Sequence, residues 1–314
     1  MNKVIVVGSL NVDLTVYAPH FPVAGETVIG STLRIGMGGK GSNQATAAHR
    51  CGGDVCMVGC IGRDAMSDVV RRHYENEGMS RDYITESDTA ETGTALIEVE
   101  ASGQNRIVVV TGANAEVSAA QVEQVAAEVS EIGAVLTQLE TGYEPIFAAK
   151  KLAEERGVPF VLNPAPYSPM PAGLLTGTDW LTPNETEASY ISGVTVTEAA
   201  TAAEAARAIR TMGVKNVLVT LGGQGVYAMW EEEGGLKEEK LAPPKVKAVD
   251  TTGAGDAFNG AFTTALAEGR TVPEALRFAS CCASLSVTKA GAADAMPTRA
   301  ETLALLKKTY GLDW

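Results

Sequence analysis

Asp250-Thr251-Thr252-Gly253-Ala254-Gly255-Asp256-Ala257-Phe258-Asn259-Gly260 is the stretch on which the reading of this chain turns. A β-like run, Val246-Lys247-Ala248-Val249, precedes it, and an apolar helix-like segment, Ala257 to Ala267, follows. Two glycines at such a strand-to-helix junction let successive backbone N–H groups converge on one point. The helix N-terminus adds its partial positive charge, so the stretch reads as an anion site. Asp256 separates it from an ordinary phosphate loop. A bound phosphate and this carboxylate would repel each other unless a neutral hydroxyl lay between them as proton donor. That arrangement suits phosphoryl transfer to an alcohol, with Asp256 as base and the Gly253, Ala254 and Gly255 amides cradling the charge on the transferred group. On spacing alone, Asp256 reads equally well as a helix cap.

Outward from that stretch, strands alternate with helices. Lys3 to Val7 reads as a buried strand that Gly8-Ser9 ends, Gly36 to Gly41 as a glycine turn into a helix from Ser42 to Arg50, and Val55 to Gly59 as a second apolar strand. Helices are expected over Asp64 to Gly78 and Tyr143 to Arg156, and strands over Ala134 to Leu139, Pro159 to Leu162, Trp180 to Thr182 and Asn216 to Thr220. Thr94 to Val99 and Arg106 to Val110 form a hairpin pattern around Ala101 to Asn105. Its strands are apolar on both faces, which implies that one face meets a partner. This alternation predicts an α/β fold: a doubly wound, mostly parallel sheet with helices on both faces. No repeat or linker divides the 314 residues, which read as one domain. The acidic patch Glu231-Glu232-Glu233-Gly234-Gly235 reads as a solvated hairpin turn, and Pro243-Pro244 stiffens the entry to the Val246 run.

In open α/β sheets, ligands bind beyond the carboxyl ends of the strands. Here those ends carry Asn11 and Asp13, Glu140, Asn163, Asn184 and Thr220, which together describe a polar crevice. Asn11, Asp13 and Glu140 have the chemistry to hydrogen-bond several hydroxyls of a sugar. Asn163, beside Pro164, reads more simply as a turn residue.

Composition narrows the partners. The 38 acidic and 25 basic residues give a formal charge of -13, which disfavours nucleic acid and anionic membranes and leaves small-molecule chemistry as the default. Met1-Asn2-Lys3 runs straight into Val4 to Val7 as a strand rather than a signal peptide, and no apolar run is long enough to span a bilayer. Cys51, Cys56, Cys60, Cys281 and Cys282 show no CxxC pairing and lie in apolar or small-residue runs, as buried thiols in a reducing cytosol do. His20, His49 and His73 follow no catalytic or metal motif.

Gly36, Gly38 and Gly41 spell a literal G-x-G-x-x-G, which would place NAD on a Rossmann unit and make the chain an oxidoreductase. The preceding segment reads as an exposed alternating strand, and Asp54 and Asp64 flank the next strand instead of ending it. A Walker P-loop fails as well, because Arg34 stands where its first glycine belongs.

Gly38-Gly39-Lys40-Gly41-Ser42-Asn43-Gln44-Ala45 near the start and Asp250 to Asp256 near the end resemble the paired signatures of the ribokinase-like carbohydrate kinases. Gly8 to Asp13, Gln138-Leu139-Glu140, Asn163 to Pro166, Thr182 to Glu187 and Thr220 to Gly225 fall between them in that family's order. The resemblance covers essentially the whole chain. It implies an ATP-dependent pentose kinase that converts D-ribose to ribose 5-phosphate, with a β-sheet lid over the sugar formed by residues 13–35 and 94–110. Asn11, Asp13, Gly39, Lys40, Asn43 and Glu140 would bind the sugar with Asp256, the base, and the amides of Thr252 to Gly255 would form the anion hole. Asn184 and Glu187 would organise Mg²⁺ and the phosphates through water, and Thr220, Gly222, Gly225, Gly255 and Ser280 would border ATP. An activating K⁺ would rest on Asp250, Thr252 and the carbonyls of Ser286, Lys289 and Gly291. Ala295 departs from the pattern where the family often supplies a hydroxyl. Cytoplasmic location and a homodimer paired through the lid are also implied. A kinase of the same family for 2-deoxyribose, a fructose-type sugar or adenosine is the alternative nearest to this reading. A nucleotide sensor without catalysis fits less well, since Asp256 and its anion site are both present.

Overall fold

The computed structural model describes residues 2–171 and 173–314, so Met1 lies outside the described residues. The chain opens with β1 (Lys3–Val7), β2 (Asn11–Ala18), β3 (Thr32–Gly38), α1 (Lys40–Arg50), β4 (Asp54–Gly62), α2 (Ser67–Glu77) and β5 (Ile84–Ser87). Next come β6 (Gly93–Glu100), β7 (Asn105–Val110), a 3-10 turn over Gly112–Glu116, α3 (Ala119–Glu128), β8 (Ile132–Thr137), α4 (Tyr143–Arg156), β9 (Phe160–Leu162) and β10 (Trp180–Leu181). It continues through α5 (Glu185–Ser192), α6 (Ala199–Thr211), β11 (Asn216–Thr220), β12 (Val226–Glu232) and β13 (Gly235–Leu241). The last helices are α7 (Ala254–Ala267), α8 (Val272–Ser286) and α9 (Arg299–Tyr310).

Nine strands make one large sheet in the order β13-β12-β11-β10-β9-β8-β1-β4-β5, parallel from β11 to β5 and antiparallel only at β12 and β13. The sequence reason is the near-continuous apolar character of the central strands, which a sheet covered on both faces requires. Successive side chains of a strand point to opposite faces. Val4 and Val6 of β1 accordingly join one core with Leu136, Val161 and Leu218, packed against Ala45, Phe262 and Leu276 of α1, α7 and α8. Ile5 and Val7 join the other with Val135, Phe160 and Val217, packed against Val122, Ile146 and Ala202 of α3, α4 and α6.

The second sheet has the order β3-β2-β6-β7, with β2 and β6 parallel and the outer pairs antiparallel. It is the smaller sheet expected to act as a lid. Its strands begin at Asn11, so Asn11 and Asp13 lie on the lid strand nearest β1. In its register Ile35, Leu14, Leu96 and Val108 form one row across all four strands. Ile35, Leu96 and Val108 are 51%, 49% and 62% exposed, an apolar stripe left without cover by the chain itself.

Two expectations change. Val246 to Val249 is not a strand: Pro243 and Pro244 lack the N–H groups a ladder needs, and the Val249 and Asp250 amides both donate to the Val287 carbonyl beyond α8. The key helix starts at Ala254 rather than Ala257, behind Gly253 in a left-handed conformation (φ 75°) that favours glycine. The five cysteines are free and buried. Among the described residues, no helix is long and apolar enough to cross a membrane.

Candidate active site

Asp256 stands in the first turn of α7, 6% exposed, and each of its oxygens meets one amide from the start of α1. Asn43 Nδ2 donates to Oδ2 and Gln44 Nε2 to Oδ1, both at 3.0 Å. Helices α1 and α7 pack closely enough for this because Gly260 faces the Gln44 carbonyl, with which any side chain at that position would collide. Burial raises the Asp256 pKa above the ordinary carboxylate range, against the opposing pull of Lys40 and of the two amide donors.

Lys40, the first residue of α1, is the cation of the site. Burial pushes its ammonium pKa down, but Asp256, Glu140, Glu187 and Asp13 together outweigh burial and hold it above the usual lysine value. Glu140 accepts a hydrogen bond from Ser9 Oγ at 2.5 Å and another from the Lys40 N–H at 2.9 Å, tying the end of β1, the start of α1 and the loop after β8 together. Asp13 has its pKa raised to about 6, chiefly by burial and then by the Glu140 and Asp256 charges, with Lys40 opposing. Asn11 is buried and accepts from Asn114 Nδ2 at 2.7 Å. Two glycines of the literal G-x-G-x-x-G, Gly38 and Gly41, make room for these groups, whereas Gly36 faces open space. A side chain at Gly38 would collide with the Asp13 carboxylate, and a Cβ on Gly41 would sit 2.5 Å from the Ser9 amide nitrogen. Those glycines join a lid strand to α1, not a first core strand to its helix, which removes the structural basis of the NAD reading.

A cavity of about 170 Å³ opens beside Asp256, lined by Lys40, Asn163, Asn184, Glu187, Thr220 and the Thr251 to Asp256 turn among others. Of the amides expected to converge there, Thr252 N–H donates to Asp250 Oδ1 at 2.9 Å and Ala254 N–H to the Thr251 carbonyl at 3.2 Å. The N–H groups of Gly253, Gly255 and Asp256 have no partner among the described residues. Asn184 and Glu187 form a capping box for α5, Asn184 N–H donating to Glu187 Oε2 and Glu187 N–H to Asn184 Oδ1, both at 2.9 Å. The cap holds Glu187 at the cavity wall, where burial raises its pKa. A hard divalent ion that keeps most of its waters fits a single carboxylate of this kind.

Asp250 anchors the loop ahead of α7. Burial acts to raise its pKa, but hydrogen bonds from the Gly291 N–H at 3.0 Å and from the Thr252 N–H and hydroxyl hold it below the usual range. Thr252 and Gly291 thus gather around Asp250, whose own N–H donates to the Val287 carbonyl just past Ser286, at the C-terminal end of α8, a negative helix end. The Lys289 ammonium pairs with Glu301 at 3.2 Å, and the Arg34 charge adds to the hydrogen bonds that hold Asp250 low. Thr220 reaches the cavity through its bridge to Asn184. Gly222 and Gly225 shape the turn between β11 and β12, Ser280 is buried on α8, and none of the three lines the cavity.

Sequence reading missed the buried amides behind these groups. Asn114 orients Asn11, also accepting from the Leu10 N–H at 2.8 Å, and Asn259 accepts from Thr182 Oγ1 at 2.6 Å while donating to the Gly255 carbonyl at 2.8 Å. Gln44 and Gln138 were inside quoted motifs without a role.

Residues 1–299 match the model of the pfkB family carbohydrate kinases. The chain is 40% identical over 302 residues to a ribokinase of Haemophilus influenzae, covering 96% of this chain and 97% of that protein. It is 39% identical over 307 residues to a ribokinase of Bacillus subtilis, covering 98% and 100%. The structure of Arabidopsis thaliana ribokinase complexed with ribose and ATP superimposes with a TM-score of 0.89 at 35% identity, covering 98% of this chain and 99% of that one.

Proposed function

Since the chain belongs to the pfkB family of carbohydrate kinases, and is therefore a phosphotransferase acting on an alcohol, we propose that it transfers the γ-phosphoryl group of ATP to the 5-hydroxyl of D-ribose. The observation that carries this reading is a buried Asp256 beside three amides at the N-terminus of α7 that have no partner among the described residues, in a pocket bordered by Lys40. Asp256 accepts the proton of the attacking hydroxyl, and the Gly253, Gly255 and Asp256 amides stabilise the charge on the moving phosphoryl group. Asn11, Asp13, Gly39, Lys40, Asn43 and Glu140 hold the sugar. Asn184, Glu187, Thr220, Gly222, Gly225 and Ser280 serve the nucleotide side. Glu187 would help hold Mg²⁺, which would supply charge neutralisation to the phosphates. Asp250, Thr252 and the carbonyls of Ser286, Lys289 and Gly291 are the seat we assign to K⁺, supported by the α8 dipole.

The chain is read as one domain whose lid covers the sugar and excludes water from the transfer. The uncovered row Ile35, Leu14, Leu96 and Val108 supports pairing of two lids in a homodimer, and the five free, buried cysteines fit a cytoplasmic protein.

The test is ADP release with Mg-ATP over D-ribose, 2-deoxyribose, fructose and adenosine, in potassium or sodium. D-ribose gives the highest kcat/KM and potassium raises it. A different leading alcohol overturns the ribose assignment, and no ADP with any alcohol overturns the function.

The raised pKa of Asp13 adds a pH prediction. As pH falls through about 6, the carboxylate takes up a proton and loses acceptor capacity toward the sugar. A hydrogen bond to a charged group is worth roughly 1.5–3 kcal/mol, so KM for the sugar rises by about tenfold or more at pH 5 while KM for ATP changes little. Steady-state kinetics from pH 5 to 8 check this, and Asp13→Asn flattens the dependence.

A further inference from the structure

We propose that Gln44, held in one orientation by Gln138, is a positioning residue that aims Asp256 at the acceptor hydroxyl; the proposal rests on Asp256 being the base. Gln44 is fully buried and makes three side-chain hydrogen bonds. Its Nε2 donates to Asp256 Oδ1 and to Asn163 Oδ1, each at 3.0 Å, and its Oε1 accepts from Gln138 Nε2 at 2.7 Å.

An amide can turn end for end, and the turned form of Gln44 would set its oxygen against the Asp256 carboxylate. Two neighbours forbid that. Gln138 presents a donor, which only the Gln44 oxygen satisfies. Asn163 spends its own Nδ2 on the Thr182 carbonyl at 2.9 Å, so its oxygen faces Gln44 and asks for the nitrogen. Close packing places Gln138, whose Oε1 end fills the space left by the missing side chain of Gly8 and meets no hydrogen-bond partner among the described residues. Its Nε2 end is held by the Gln44 oxygen, which Asn163 and Asp256 orient. The relay Gln138–Gln44–Asp256 therefore runs from the end of β8 through α1 to the first turn of α7. With Asn43 on Oδ2, it leaves the carboxylate one orientation relative to the cavity.

Gln44→Leu keeps the volume and removes the donor. We expect kcat to fall about 10–100-fold, the cost of a base displaced by a fraction of an ångström to an ångström, with KM for sugar and ATP within about threefold of wild type. Loss of a donor to the charged form also moves the acid limb of the kcat profile to higher pH, which a purely structural role would not do. Gln138→Leu produces the same shift with a smaller loss, and the double variant is no slower than Gln44→Leu, because both residues act on one group. Should Gln44→Leu fail to fold, the pH profile of Gln138→Leu decides. Wild-type kcat with an unmoved acid limb in either variant, while Asp256→Asn is inactive, overturns the relay. Retained activity in Asp256→Asn overturns the base assignment beneath it.

Discussion

Asp256→Asn lowers kcat by about 10²–10⁴-fold, the usual contribution of a positioned general base, and leaves KM for ATP nearly unchanged. The amide has the shape of the carboxylate and none of its capacity to take a proton. Two donors already face it, Asn43 Nδ2 and Gln44 Nε2, so the new NH₂ group meets a misfit until the Asn43 amide turns to present its Oδ1, which has no other partner among the described residues. That misfit is local and small beside the electrostatic change. Burial raises the Asp256 pKa, and a carboxyl whose folded-state pKa is raised favours the folded state below its unfolded value and opposes it progressively as pH rises through the raised value. Asn removes that opposition. The variant therefore unfolds at pH 8 no more easily than wild type, and an inactive protein with an unimpaired melting temperature is the expected outcome. ADP release and thermal melts on the same preparation check both halves. A variant with more than half of wild-type kcat would show that Asp256 is a cap and nothing more.

Lys40→Met has the larger structural consequence. One partly buried ammonium faces Asp13, Glu140, Glu187 and Asp256, and removing one side of such an arrangement leaves uncompensated charge, at a cost below the roughly 3–5 kcal/mol of a fully buried pair. The sign of its pH dependence follows from linkage. Asp13 and Asp256 already titrate above the ordinary carboxylate range with Lys40 in place; without it both rise further. Their ionised forms then oppose folding more strongly over the interval from their unfolded values to their new folded ones. The variant is close to wild type near pH 4–5 and loses the full amount by pH 8. Urea unfolding at the two pH values measures it, and an equal loss at both would mean that Lys40 contributes by packing rather than by charge. Sugar phosphorylation is lost with it, because Lys40 borders the cavity and orders the carboxylates around the acceptor.

Much of the fold could be read from local pattern. Runs such as Val4 to Val7 and Val217 to Val219 are apolar on both faces, which only a doubly covered strand tolerates, and left-handed glycines at 78, 157 and 311 end helices α2, α4 and α9. The Val246 run misled because its β-branched residues have strand propensity, while whether a partner strand lies beside it is a tertiary matter. Asp256, Lys40 and Glu140 were legible because charged residues at glycine turns and strand ends have few structural uses. Gln44, Gln138 and Asn114 were not. Their partners lie 94 residues or more away in sequence, and a neutral amide in a helix or turn carries no local sign of the buried group it will orient. Asn184 and Glu187 show the opposite ambiguity: their spacing predicts a cap and a phosphate element alike, and the cap geometry presents Glu187 to the cavity.

Helix α7 covers the face of the sheet formed by Val4, Val6 and Leu136, and it also carries Asp256. It is made late. During synthesis, a nascent chain that has reached β11 holds most of the parallel sheet, yet one side is covered by α1 and α2 alone, and it has the residues proposed to hold the sugar without the proposed proton acceptor. A product released before residue 254 is thus sticky and inert for one and the same reason.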